Sequence, residues 1–150
     1  MKFANSTFFV SILFLCCNAP KAPEQPVAEK PLTGTWRLVS AKVITKGDTV
    51  STFPVAGQEM IKMFNATHFS FFKHDVGEAN AVFDAGAGTF TLSGEDYKEQ
   101  LSYCSAREWE NRGFSFKVSF HHDTLVQKGV EKIDSLNINQ EIVEVYVKVN

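Results

Sequence analysis

Tyr97 and Glu99 lie two residues apart, and so do Glu144 and Tyr146. Along an extended chain, residues two apart share a face, so each pair sets a carboxylate beside a phenol. Such a pair can hold a buried cation or orient the polar group of a ligand. With Glu99 as base and Tyr97 or His68 near it, it can also move a proton, as in a small isomerase or lyase. A purely structural use stays open for both acids, paired with Arg37, Lys42 or Lys148. His68 shares one face of its segment with Ser70, Phe72 and His74, opposite Phe69 and Phe71. His121 and His122 are adjacent, so in a strand they point to opposite faces; with Asp123 they read as a solvated turn rather than a metal site. Asn65-Ala66-Thr67 has the spacing of a glycosylation acceptor and is read as a turn. The chain holds no phosphate loop, dinucleotide fingerprint, nucleophile elbow or zinc-ligand spacing. No metal, no cofactor and no catalytic residue is expected, and binding is the expected function class.

Residues placed this way need strands to position them. Eight stretches are rich in β-branched and aromatic residues or alternate in polarity: about Thr35–Ile44, Met60–Phe64, His68–His74, Thr89–Leu92, Tyr97–Cys104, Phe114–His121, Leu125–Val130 and Ile142–Val149. In the sixth, Phe114, Phe116, Val118 and Phe120 share one face, and Ser115, Lys117, Ser119 and His121 the other. Helix signals are almost absent. Short connections ("NAT", "SGED", "HHDT") alternate with long ones at Thr45–Glu59, Asp75–Gly88, Ser105–Gly113 and Glu131–Glu141. In an up-and-down meander, successive connections fall at opposite ends, so this alternation predicts one tightly turned end and one looped, open end. Closure also removes exposed sheet edges. The expected fold is all-β: an eight-stranded antiparallel up-and-down barrel, sized for one small ligand.

The chain before the barrel has a different character. Lys2 and the apolar run Phe8–Leu15 read as a signal peptide over residues 1–17, too short an apolar stretch to span a bilayer. It ends in Cys16-Cys17, which resembles a bacterial lipoprotein signal with lipidation at Cys17; ordinary secretion is the alternative. Residues 18–31 form a Pro-rich tether that cannot bury a core. The barrel domain is 32–150. The expected setting is the cell envelope, as an outer-membrane lipoprotein attached through its lipid anchor. Of the three cysteines only Cys104 falls in the domain, so no internal disulfide forms there. A net charge of −2 argues against nucleic acid as a partner. A monomer is expected.

The first strand opens on Gly34-Thr35-Trp36. In an even-stranded meander it starts where the last strand ends, so Trp36 falls at the closed end. There an inward indole plugs the base, with Lys148 over its face. Gly34-x-Trp36, with "GTWRLVSAK", "KMFNATHFSFF", "GAGTFTLSGEDYKEQLSYC", "DTLVQKG" and "EVYVKV", makes nearly all of residues 32–150 similar to the lipocalin-like envelope proteins of Bacteroidetes-type bacteria, in the calycin superfamily. The resemblance implies the barrel and, more loosely, ligand binding. The aromatic-x-Glu pattern of that family stands here as Tyr97-Lys98-Glu99. Its terminal aromatic-x-Arg stands as Tyr146-Val147-Lys148, and Lys does not stack as Arg does.

By pattern alone the last strand could face the lumen with either its valines or Glu144, Tyr146 and Lys148; the resemblance implies the latter. The expected lumen is amphipathic, lined by Ser40, His68, Phe72, Tyr97, Glu99, Tyr103, Glu144 and Tyr146. Trp109, in "SAREWENRG", stands at the mouth, and Phe53 and Phe83 lie in other long connections. The expected function is an envelope-anchored protein binding a small amphipathic or aromatic-bearing ligand in the lumen. The alternatives are an interaction or structural module whose barrel is filled by side chains and, behind it, the small isomerase or lyase.

Overall fold

The computed structural model describes residues 31–77 and 83–149. The signal peptide, Cys17 and all of the tether before Pro31 lie outside the described residues.

Nine strands form one antiparallel sheet: β1 (Gly34–Thr45), β2 (Asp48–Phe53), β3 (Gln58–Phe64), β4 (His68–Asp75), β5 (Phe83–Ser93), β6 (Asp96–Cys104), β7 (Arg112–His121), β8 (Thr124–Ile133) and β9 (Ile138–Val149). Each pairs with its neighbour in the meander, and β9 returns to pair with β1 from Thr35↔Val149 to Ile44↔Glu141. Since β9 holds one edge of β1, β2 and β3 share the other: Ala41 pairs with Phe53 and Arg37 with Ile61. They are one stave broken at residues 54–57, so the barrel is a closed one of eight staves. The fold expected from alternating connections is the fold that forms.

The strands run longer than their patterns indicate. Thr45–Glu59 contains β2, because Lys46 and Gly47 take positive φ (52° and 92°) and turn the chain straight back into a hairpin with β1. β5 begins at Phe83, not Thr89: its first half, "FDAGAG", has weak strand propensity but is held by β4 and β6. Gly88 is required there, since a Cβ would stand 1.8 Å from the Gln100 carbonyl oxygen. The Glu131–Glu141 connection shrinks to a 3-10 turn at Asp134–Leu136. Tight turns at 65–67, 94–95 and 122–123 still close one end. In the first, Asn65 Oδ1 accepts from the backbone N–H groups of Thr67 (2.8 Å) and His68 (2.7 Å).

The closed half of the barrel is solid. Trp36 is buried; its Nε1 donates to the Leu32 carbonyl (2.8 Å), and Phe120 lies 6.3 Å from it, centroid to centroid. Lys148 Nζ sits 5.7 Å from the indole centroid, and its aliphatic stem packs against Gly34, where a Cβ would approach Cε to 3.3 Å. Gly34 also takes φ of +127°, open to glycine alone at little cost. Above Trp36, Phe64, Phe90, Tyr97 and Phe116 pack edge-on, tilted or stacked with centroids 5.4–6.2 Å apart. Such pairs add to the burial of their rings. Trp36→Ala removes the plug and is expected to cost about 3–5 kcal/mol in urea denaturation. A melting curve close to that of the parent would show that the base is held by something else.

Candidate functional site

Above the ring stack the lumen opens into a cavity of about 280 Å³ at the looped end. Met60 of β3, Phe71 of β4, Leu101 of β6, Phe114 of β7 and Ile142 of β9 form apolar walls. Trp109 comes in from the 3-10 turn Arg107–Trp109, with its ring 5.9 Å from that of Phe114, and stands at the mouth with Cys104. The polar groups lie deeper: Lys62, Glu99, Gln127, Glu144 and Tyr146, with Glu131 above them on β8.

The floor is organised by Lys62. It follows Met60 and precedes Phe64 on the inward face of β3, and it is almost wholly buried at 4% exposure. Its ammonium meets Glu99 Oε2 at 2.9 Å and donates to Gln127 Oε1 at 3.3 Å. It also lies 5.0 Å from the ring centroid of Phe69, 5.3 Å from Tyr97 and 5.6 Å from Phe64. A cation among ring faces gains from their quadrupoles once water is excluded. Tyr97 donates its hydroxyl to the same Glu99 oxygen (2.6 Å), and Tyr146 donates to Glu144 Oε2 (2.7 Å). Each carboxylate is thus positioned by the phenol two residues away, as the spacing implies.

Burial sets the protonation of these groups. It raises the Tyr97 and Tyr146 phenols far above their ordinary range, with Glu99 and Glu144 adding to the rise, so both remain neutral donors. Glu144 is half-buried, and desolvation raises its carboxyl; Lys62 and the Tyr146 hydroxyl pull the other way without cancelling it. Glu131 is raised by burial too, opposed by a hydrogen bond from Gln140 Nε2 to its Oε2 (2.9 Å). Burial likewise raises the Cys104 thiol, so it is a weak nucleophile.

Of the residues expected in the lumen, Glu99, Trp109, Glu144 and Tyr146 meet around the cavity. Tyr97 faces inward but below it, wholly buried beneath the floor. Four others are corrected. His68 and Phe72 point outward, because β4 carries aromatics on both faces and it is Phe69 and Phe71 that turn in. Ser40 is turned outward by a bulge: Leu38 pairs with Tyr146 but Ser40 with Val145, so Val39 is skipped and Ala41, opposite Glu144, takes the inward place. Tyr103 is 71% exposed for the same reason on β6, where Leu101 pairs with Gly88 and Tyr103 with Ala87, skipping Ser102. Phe53 is buried in the core, whereas Phe83 lies outside against Phe72 and His74.

Sequence reasoning missed Lys62, Gln127 and Glu131. Lys62 had a signal: a lysine two residues from Met60 and from Phe64 on an otherwise apolar strand face. It, and not Arg37, Lys42 or Lys148, is the partner of Glu99. Among the described residues no group of His, Cys, Asp and Glu could hold a metal ion.

The protein is a closed eight-stave antiparallel barrel with an amphipathic half-lumen. It is similar to two solved structures, a lipocalin-like protein from Bacteroides uniformis ATCC 8492 and an uncharacterized protein from Bacteroides eggerthii DSM 20697. Each is 13% identical and aligns over 79% of this chain, with a TM-score of 0.47; the alignments cover 98% of the first and 99% of the second. No protein-family model matches the chain, and no curated protein matches it.

The raised carboxyl of Glu144 makes stability depend on pH with a definite sign. A carboxyl raised on folding takes up a proton in the folded state. Its cost is absent below its ordinary value of 4.5 and grows as pH rises from there through the folded value. Glu144→Gln is therefore expected to melt higher than the parent at pH 7, with the difference fading as the pH falls toward 4.5. Equal differences at both pH values would mean that charge is not the cause.

Proposed function

We propose that this protein binds a small amphipathic or aromatic-bearing molecule in the open half of its barrel. The observation that carries the reading is the cavity of about 280 Å³, with apolar walls and an aromatic mouth above a floor of fixed polar groups. That is the composition of a small-molecule pocket, in which apolar area supplies affinity and a few placed polar groups supply orientation. The apolar part of the ligand lies against Phe71, Phe114 and Trp109, and its polar group reaches Glu144 and Tyr146. Binding is favoured over catalysis because Glu99, the base that a proton transfer would use, already accepts from both Lys62 and Tyr97. The filled-barrel alternative describes the lower half alone. Glu99 is a poor residue to test, since Glu99→Gln would strip Lys62 of its counter-charge.

The test is a fluorescence titration with a panel of small metabolites and lipids. A bound ligand is expected to change Trp109 emission, and the change should vanish in Trp109→Phe, which leaves Trp36 as the reporter of the base. A panel that produces no change in emission and no shift in melting temperature would overturn the binding reading. The same reading sets the barrel on the cell envelope through a lipid on Cys17. Among the described residues no helix is long and apolar enough to cross a membrane. Intact mass of the membrane-extracted protein is expected to show an acyl adduct; an unmodified soluble chain would remove the anchor.

A further inference from the structure

The charges around the cavity do not balance. Lys62 is the basic side chain among its lining residues, against Asp84, Glu99, Glu131 and Glu144. Lys62 is spent on Glu99 at 2.9 Å. At the mouth, Asp84 accepts from the Ser105 hydroxyl. Glu131 and Glu144 receive only neutral donors, Gln140 Nε2 and the Tyr146 hydroxyl, each on Oε2. No described donor reaches Oε1 of either. Glu144 is half-buried and lines the cavity. A carboxylate taken out of water and met by neutral donors alone is costly unless a cation joins it, and the described cation that acts on Glu144, Lys62, is already paired with Glu99.

The walls point the same way. Lys62 shows how this lumen holds an ammonium: one carboxylate, one amide oxygen, and ring faces at 5.0–5.6 Å. Above it the components recur without a cation: the carboxylates of Glu144 and Glu131, and the rings of Phe71, Phe114 and Trp109. Glu144 pairs across the sheet with Gln127, and Glu131 is two inward positions nearer the mouth on the strand of Gln127. Glu131 thus lies on the mouth side of Glu144 in the same cavity, and the charge of Glu144 adds to the rise of the Glu131 carboxyl. A neutral or anionic head beside Glu144 would leave it to share the charge of Lys62 with Glu99. A primary ammonium brings the missing charge and three N–H donors for the free Oε1 atoms, and an aryl or alkyl body then fills the space up to Trp109.

Resting on the binding reading above, we propose that the ligand class is a small organic cation, a protonated primary amine on an apolar or aryl body, with its ammonium on Glu144 and with Glu131 on the mouth side of it. Three probes of matched shape separate charge from shape: 2-phenylethylamine, 2-phenylethanol and 3-phenylpropionate, titrated at pH 7 by Trp109 fluorescence and calorimetry. The amine is expected to bind at least about tenfold more tightly than the other two, the lower end of what a hydrogen bond to a charged group contributes. Glu144→Gln is expected to remove about tenfold of the amine's affinity while leaving 2-phenylethanol nearly unchanged. Glu131→Gln serves as a second variant, and both are checked for folding by circular dichroism. If 2-phenylethanol or 3-phenylpropionate binds as well as the amine, or if Glu144→Gln weakens all probes alike, the cation assignment is overturned and lumen binding stands. If none of the three binds, the cation assignment is overturned with the site it rests on.

Discussion

A lysine ammonium fixed inside the barrel is the constraint from which the rest of this structure follows. Lys62 is buried among three ring faces with Glu99 as its counter-charge. Removing two charges from water is expensive, and their mutual attraction repays this only when geometry is good and remaining hydrogen-bonding capacity is used. Here Gln127 and Tyr97 use it. Such a pair is weak evidence of added stability and stronger evidence of specification. It fixes which face of β3 and β6 turns inward, and so the register of both strands. It also marks the level at which the lumen changes. Below lie Phe64, Phe90, Tyr97 and Phe116 on Trp36; above lies open space.

Open space at that level has a consequence for stability. The lower half gains from ring packing and from the Trp36 plug, while the upper half carries carboxyls that burial disfavours in their charged form. Apolar residues in place of Glu131 and Glu144 would pack the barrel more stably. A domain that retains both gives up stability where the cavity is and recovers it at the base. That division between a rigid foundation and a costly upper half is the arrangement that the proposed binding function calls for.

Much of this was legible in the sequence. The alternation of short and long connections gave the closed and looped ends, and the two-residue spacings Tyr97/Glu99 and Glu144/Tyr146 gave the two phenol–carboxylate pairs. Period-two reasoning failed where its premise did. At Val39 and Ser102 an extra residue enters the strand, and every side chain beyond it changes face. Thus Ser40 and Tyr103 left the lumen. On β4 no bulge intervenes; there the pattern His68, Phe69, Ser70, Phe71, Phe72 offers an aromatic to each face, and local hydrophobicity cannot choose between them. The choice is made across the sheet, where Phe69 pairs with Phe64 and Phe72 with Ile61. Lys62 escaped notice because a lysine in a strand is ordinarily a solvent-facing residue. Only the positions of Glu99 and Gln127 on strands far along the chain make it an interior one.

The cavity itself depends on what is missing from one wall. A Cβ on Gly86 would lie 2.4 Å from Phe71 Cε1, and one on Gly129 would lie 2.8 Å from Phe116 Cδ1. Both rings therefore lie flat over bare backbone, where any side chain would push them toward the barrel axis. Interiors are otherwise packed to the density of organic crystals, so an eight-staved barrel lined by this many phenylalanines should be full throughout. The ring over Gly129, Phe116, meets Tyr97 in the ring stack below the cavity. The barrel stays open above, where Phe71 lies close against Gly86 of β5 and lines the cavity. The weak strand propensity of "FDAGAG" and the openness of the cavity thus have one cause: glycine on the inward face of β5 lets Phe71 lie close against the backbone.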